Sequence, residues 1–196
     1  MPKILTILRH PNPVLKRKCV PVPVRYEQKL PTDPVDFVDK DQIKELADDM
    51  IHTMFIMGGV GLSAPQIGQS LRMFVCSHDG DQRNALVFIN PTILDQSNPI
   101  DTEEGCLSLP DVRVNMRRSS YVKIHAYRPD GSAFEMSEAG FRPVIWQHEI
   151  DHLDGRLIVD QMSEADKIRN RHTLNLLLGK RRSNRRTIRN PKKVAS

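Results

Sequence analysis

The segment WQHEIDHLDG, residues 146–155, constrains this chain more than any other. If it is helical, His148 and His152 stand one turn apart on one face, where two imidazoles can grip a single metal ion but leave it incompletely held. A catalytic site of this kind wants three protein ligands and one open position. The fold must therefore run a helix through this segment and bring a further donor to it from elsewhere in the chain. Glu149, between the histidines, completes the HExxH pattern in which a carboxylate works on water at the metal; the plain alternative is a solvated helix face.

Pro143 suits the first turn of such a helix and Gly155 its stop. Ser163 is placed to cap a last helix through EADKIRNRHTLNLLLG, where Ile168, Leu174, Leu177 and Leu178 offer a modest apolar face. Earlier, DQIKELADDMIHTMF puts Ile43, Leu46, Ala47, Met50 and Met54 on one stripe, with Gly58 and Gly59 to end it and His52 off the stripe toward solvent. LRMFVC and ALVFINPTIL read as two buried strands separated by the polar turn SHDGDQRN. SSYVKIHAYRPDGSAFEM alternates Val122, Ile124 and Ala126 against Tyr121, Lys123, His125 and Tyr127, then turns at RPDG into another strand. Prolines 21, 23, 31 and 34 forbid a helix interior over 20–40 and predict a surface loop there. The order helix, strands, helix, helix predicts an α+β fold: mostly antiparallel β-sheets packed around a central helix carrying the HExxH pattern, with an N-terminal and a C-terminal helix.

A chain of 196 residues supports one hydrophobic core, and 39% apolar with 27% charged residues excludes the disordered and fibrous classes. No apolar run approaches a membrane span, and the opening MPKILTILRHPNPVLKRK lacks a signal-peptide core, so a cytoplasmic protein with no membrane partner is expected. The net charge of +5 is concentrated in KRRSNRRTIRNPKKVAS, which holds eight Lys or Arg and no acid and leaves 21 basic against 24 acidic residues in the body. One catalytic domain over 1–179 and a flexible basic tail over 180–196 follow. Such a tail suits phosphate backbones, or merely keeps the chain in solution. The cysteines, Cys19, Cys76 and Cys106, are odd in number and widely spaced, which argues against a disulfide framework. Cys76, in LRMFVC, reads as a small buried hydrophobe.

For the third donor, His172 lies beyond a separate helix cap and Glu164 fits only a loose spacing. Upstream, EEGCLSLP offers Cys106, after a glycine that allows a backbone bend and before a run that Pro110 stops. Together GVGLSAPQ (59–66), EGCLSLP (104–110) and QHEIDHLDG (147–155) resemble, in order, the three signature motifs of the peptide deformylase family, in a likeness spanning about half of the chain. Two departures stand out: Ser63 where many relatives carry Ala, and a proline-rich loop longer than in compact members.

The resemblance implies that Cys106 joins His148 and His152 as the third ligand of one divalent ion, natively iron(II), with zinc, nickel or cobalt as substitutes. It implies hydrolysis of the N-formyl group from the initiator methionine of newly synthesised polypeptides, releasing formate. Metal-bound water is then the nucleophile, Glu149 takes and returns the proton, and the Gln66 amide with the Leu107 backbone N–H meets the oxyanion. The peptide backbone would run along Val60, Gly61 and Gly105, and its methionine would enter a pocket formed by Val60, Phe141, Val144 and Ile145. Arg113 matches a position that reaches beyond the first residue, and a C-terminal element would dock on the ribosome and its RNA. Asp151 faces away from the ligand edge and reads as a solvent-facing acid, with Arg118 and Arg156 as its alternatives for pairing. Two other functions stay open on the residues alone. One is an HExxH peptidase cutting internal bonds, which needs no cysteine ligand; the other is a non-catalytic, metal-stabilised RNA-binding module, in which a fourth protein ligand would close the site.

Overall fold

Phe74 and Cys76 point to one face of their strand and Met73 and Val75 to the other, yet all four are buried, so this strand must have a layer on each side. A computed structural model of the chain describes residues 1–23, 40–77 and 79–179, and within them both layers are present. The elements run α1 (Lys40–Ile56), β1 (Gly61–Ser63), β2 (Met73–Cys76), β3 (Leu86–Cys106), β4 (Leu109–Tyr127), β5 (Ala133–Ala139), α2 (Arg142–Leu153) and α3 (Glu164–Leu177). The five strands form one antiparallel sheet in chain order, with β1 at one edge. On one face Ile145, Trp146, Ile150 and Leu153 of α2 pack on Phe74, Phe88, Val122 and Ile124. On the other, Ile43, Ala47, Met50 and Met54 of α1 meet Leu62, Met73, Val75 and Ile89. The expected α+β class is the one observed, with the metal-motif helix against the middle of the sheet.

One strand, β3, is much longer than its apolar pattern. β3 continues through Asp95–Glu103, largely exposed, because β4 pairs with it almost throughout: Gln96 opposite Val122, Asp101 opposite Arg117 and Glu104 opposite Val114. Backbone pairing rather than side-chain burial holds this part, so hydrophobic periodicity could not reveal it. The consequence is functional, since Cys106 ends one arm of this hairpin and Leu109 opens the other.

α3 starts at Ser163, whose hydroxyl accepts from the Asp166 N–H. The apolar face expected for α3 needs correction. Ile168 is 75% exposed and Leu178 38%, only Leu174 and Leu177 are packed against the core, and the fully buried positions are Asp166 and Asn170. The loop expected over 20–40 lies outside the described residues from 24 to 39, as does the tail over 180–196. At the start of that loop Val20 and Pro21 are exposed, as expected, but Val22 is buried, and the Asn90 side chain accepts from the Val22 N–H and donates to its carbonyl at 2.8 and 2.7 Å.

α2 begins with Pro143 in its first turn and ends in a Schellman arrangement, Gly155 N–H to His152 O and Arg156 N–H to Asp151 O, with Gly155 at φ +73°. The N-terminal segment is laid across this end: Cys19 N–H donates to Leu153 O, and a Cβ on Gly155 would lie 2.6 Å from the Lys16 carbonyl oxygen. Both the backbone angle and the space require glycine. Gly155→Ala is expected to destabilise the protein by more than about 1 kcal/mol, read as a lower urea midpoint at unchanged m-value.

Candidate metal centre

Three chemically unlike elements converge beside α2. The helix presents His148 and His152 one turn apart, their ring centroids separated by 5.0 Å. The β3–β4 hairpin delivers Cys106, whose Sγ lies 3.2 Å from His152 Nε2. One donor atom from each of the three residues lies within 4.8 Å of the others, the only such group found among the described residues. The short 3-10 turn after β1, Ala64–Ile67, brings Gln66, with its Nε2 3.5 Å from Cys106 Sγ and 3.3 Å from Ser108 Oγ.

Glu104 sets the orientation of the first histidine. It accepts from Arg118 through Nε and Nη2 at 2.7 and 3.0 Å, and His148 Nδ1 lies 2.8 Å from its second oxygen. Burial alone would raise the Glu104 pKa, but the hydrogen bonds from His148 and Arg118 outweigh it and bring it down to about 2. An ionised carboxylate only accepts, so the proton of His148 sits on Nδ1 and Nε2 is turned toward the site. Burial opposes charge on both rings and holds His152 well below the usual imidazole range. At His148 burial is outweighed by hydrogen bonds to Cys106 and Glu104, and the pKa rises well above that range. A sulfur and two ring nitrogens in so small a space are a donor set that suits a divalent cation.

Glu149 is buried, and burial pushes its pKa up to about 7, with the neighbouring His148 pulling the other way. Its Oε2 and His152 Nδ1 are two of the three buried side-chain polar atoms left without a partner among the described residues. Gly61 leaves the space this carboxylate needs: a Cβ there would collide with Glu149 Oε1 and stand 2.9 Å from Ile145 Cγ2. These residues face a cleft of about 310 Å³. All the residues expected at the site line it except His152, which is behind its wall and 1% exposed. Val60 and Phe141 form an exposed rim, while Val144 and Ile145 are buried deeper in the wall.

Some contributors went unread in the sequence. Asp151 is not solvent-facing, as expected, but 8% exposed: its Oδ2 accepts from Arg118 Nη1 at 2.7 Å and its Oδ1 pairs with Arg156 at 2.8 Å. An i, i+3 position off the ligand edge looks outward only if nothing covers that side of the helix, and here the β3–β4 hairpin does. Ser63 is more than a peripheral departure, because its N–H and hydroxyl both donate to Gln66 Oε1, at 2.8 and 2.9 Å, which turns the Gln66 NH2 toward Cys106. The glutamate beside Gly105 in EEGCLSLP was the available signal for Glu104; Arg118 was read only as an alternative partner for Asp151, which it is, and not as the link to Glu104.

A sulfur and two imidazoles around a space that opens on a cleft, with a buried carboxylate beside it, define a metal-dependent hydrolase class of site. Comparison with known proteins narrows this. The sequence model of the polypeptide deformylase family matches residues 4–168. The chain is 38% identical over 182 residues to the peptide deformylase of Alkalilimnicola ehrlichii, covering 92% of this chain and 94% of that one. Among solved structures, the peptide deformylase of Legionella pneumophila superposes with a TM-score of 0.77 at 34% identity, over 90% of this chain and 96% of the other. A Plasmodium falciparum peptide deformylase gives 0.77 at 33%, over 89% and 95%. The chain belongs to the polypeptide deformylase family, a group of metal-dependent hydrolases that remove the N-formyl group from newly made polypeptides.

Removing Arg118 would strand the buried carboxylates of Glu104 and Asp151. Arg118→Ala is expected to cost about 3–5 kcal/mol of stability in chemical denaturation and to weaken metal retention on dialysis, because His148 loses its oriented partner.

Proposed function

We propose that the chain deformylates the initiator methionine of nascent polypeptides with Cys106, His148 and His152 as ligands of one divalent ion and Glu149 as the group that moves the proton. The observation carrying this reading is the three donor atoms within 4.8 Å of one another, beside a buried carboxylate with an unpartnered oxygen. A divalent ion bound there supplies Lewis acidity, which acidifies water and polarises the formyl oxygen. The mixed sulfur and nitrogen set suits iron(II), zinc, nickel or cobalt, and iron(II) is the resident ion in this reading.

Glu149 accepts a proton from water as it adds to the formyl carbon, then delivers it to the amide nitrogen as the C–N bond breaks, leaving formate and a free amine. Its buried setting keeps its pKa near neutrality, while a cation held by its neighbours favours the carboxylate; the balance suits a group that both takes and gives. The Gln66 Nε2, with Oε1 held by Ser63, and the Leu107 N–H stabilise the charge on the carbonyl oxygen. Val60 and Gly61 lie at the edge strand β1 and Gly105 faces them across the cleft, so an extended peptide pairs through its main chain, whatever its sequence. Val60, Phe141, Val144 and Ile145 form the methionine pocket, and Arg113 faces the residues that follow.

The assay is formate release from a formyl-Met peptide by metal-loaded enzyme, set against cleavage of an internally quenched, unformylated peptide. Glu149→Ala is expected to retain one metal per chain and lose turnover; near-normal formate release by this variant removes Glu149 from the mechanism, and cleavage of the quenched peptide favours an ordinary peptidase.

In the same reading, residues 1–179 form one catalytic domain in the cytoplasm, and 180–196 serve as a basic tail that docks on ribosomal RNA. No helix among the described residues is long and apolar enough to cross a membrane. Deleting 180–196 is expected to spare activity on short formyl-peptides and to weaken ribosome co-sedimentation at low salt; unchanged co-sedimentation rejects docking.

A further inference from the structure

Over its first half β4 is an edge. It pairs with β3 on one side, Asn115 opposite Glu103 and Val114 opposite Glu104, while β5 reaches only Tyr121–Tyr127 on the other. The backbone groups along that edge need partners, and α3 supplies them from side chains. Asn170 Oδ1 accepts from the Arg113 N–H at 3.1 Å, and Asn170 Nδ2 donates to the Arg113 carbonyl at 2.7 Å. One turn earlier, Asp166 Oδ1 accepts from the Asn115 N–H and side-chain amide at 3.4 and 3.3 Å. Arg169 donates to the same Arg113 carbonyl at 2.9 Å and to Glu103 at 3.1 Å. Asp166 and Asn170 are 1% and 5% exposed.

The residue gripped in this way is not a neutral one. The Arg113 guanidinium lies over Gly105, so close that a Cβ on Gly105 would collide with Nη1 and stand 2.9 Å from Cζ. Both residues line the cleft. Where an exposed arginine head rests depends on the backbone from which its side chain springs, and here both polar groups of that backbone are held by one amide.

We infer that Asn170 is a positioning residue for Arg113, and that α3 thereby sets how firmly the enzyme grips the part of a formylated peptide beyond its first residue. This rests on the reading of Arg113 as peptide-facing. Asn170 touches neither the cluster of donors nor Glu149, so its loss should act on binding and not on the bond-breaking step.

The test compares formyl-methionine amide, which ends at the first residue, with formyl-Met-Ala-Ser on metal-loaded enzyme. Arg113→Ala and Asn170→Ala are each expected to raise KM for the longer peptide about fivefold, the worth of roughly one hydrogen bond, with kcat unchanged and the shorter peptide within about twofold. The double variant should match Arg113→Ala alone, because both act through one contact. Asn170→Asp keeps the shape and the acceptor, should give an intermediate KM, and carries the test if the alanine variant does not fold. Leu177→Ala loosens α3 without touching Arg113 and should not discriminate between the peptides. If Arg113→Ala leaves KM unchanged, the reading of Arg113 falls and the inference with it. If Arg113→Ala discriminates and the Asn170 variants do not, or if they depress both peptides alike as a loosened helix would, the positioning role alone is overturned.

Discussion

The guanidinium of Arg118 lies between two carboxylates that come from different parts of the fold, Glu104 on β3 and Asp151 on α2. Everything at the site depends on that bridge. Glu104 also meets His148, so one buried cation fixes the strand that carries Cys106, the helix that carries both histidines and the tautomer of the first of them. The charges are costly to bury. Two acids around one arginine would gain little by attraction alone, and the surplus negative charge is met by the His148 ring on one side and by Arg156, at the surface, on the other. The bridge is better understood as a device for register than as a source of stability: it accepts one placement of the hairpin against the helix and penalises the others.

The parts of this arrangement legible in the sequence were those with a local period. Residues four apart on α2 needed only a helix to become neighbours, and the stripe on α1 needed only a core to face. The family motifs added Cys106, which no period could connect to His148 across 41 intervening positions. What stayed hidden, or was weighed only as an alternative, was of one kind. Arg118, Asp151, Asp166 and Asn170 are polar residues buried by their partners, and in a sequence each looks like a residue for solvent. The predicted apolar face of α3 failed for this reason: the helix is attached chiefly through amide and carboxylate contacts to a strand edge, and Ile168 is left in water.

The long exposed half of the β3–β4 hairpin makes the same point from the backbone side. From Asp95 to Glu103 nothing alternates, yet the strand persists because its partner runs antiparallel to it over the whole length. Where such pairing runs out, the chain uses asparagine in its place. Asn90 holds both backbone groups of Val22 as Asn170 holds those of Arg113, each side-chain amide standing in for a peptide group of a missing strand. At Val22 the device closes a core; at Arg113 it meets the wall of the cleft.

The polar atoms left unpaired carry the opposite lesson. A buried carboxylate oxygen and a buried ring nitrogen without partners each cost the folded state about 1–3 kcal/mol, and the described residues have few others. Both belong to the cluster around Cys106. A fold that satisfies the backbone of an isolated valine with a dedicated asparagine, yet leaves Glu149 Oε2 wanting, has placed acceptor capacity beside the cluster that suits a cation; His152 Nδ1 belongs to the ring edge away from the Nε2 that meets Cys106, and filling the site does not supply its partner. Desolvation that makes these groups expensive also strengthens any charge interaction made there. The cost carried by the Glu149 oxygen is offset when the site is filled, and metal binding and folding are linked through the donors Cys106, His148 and His152.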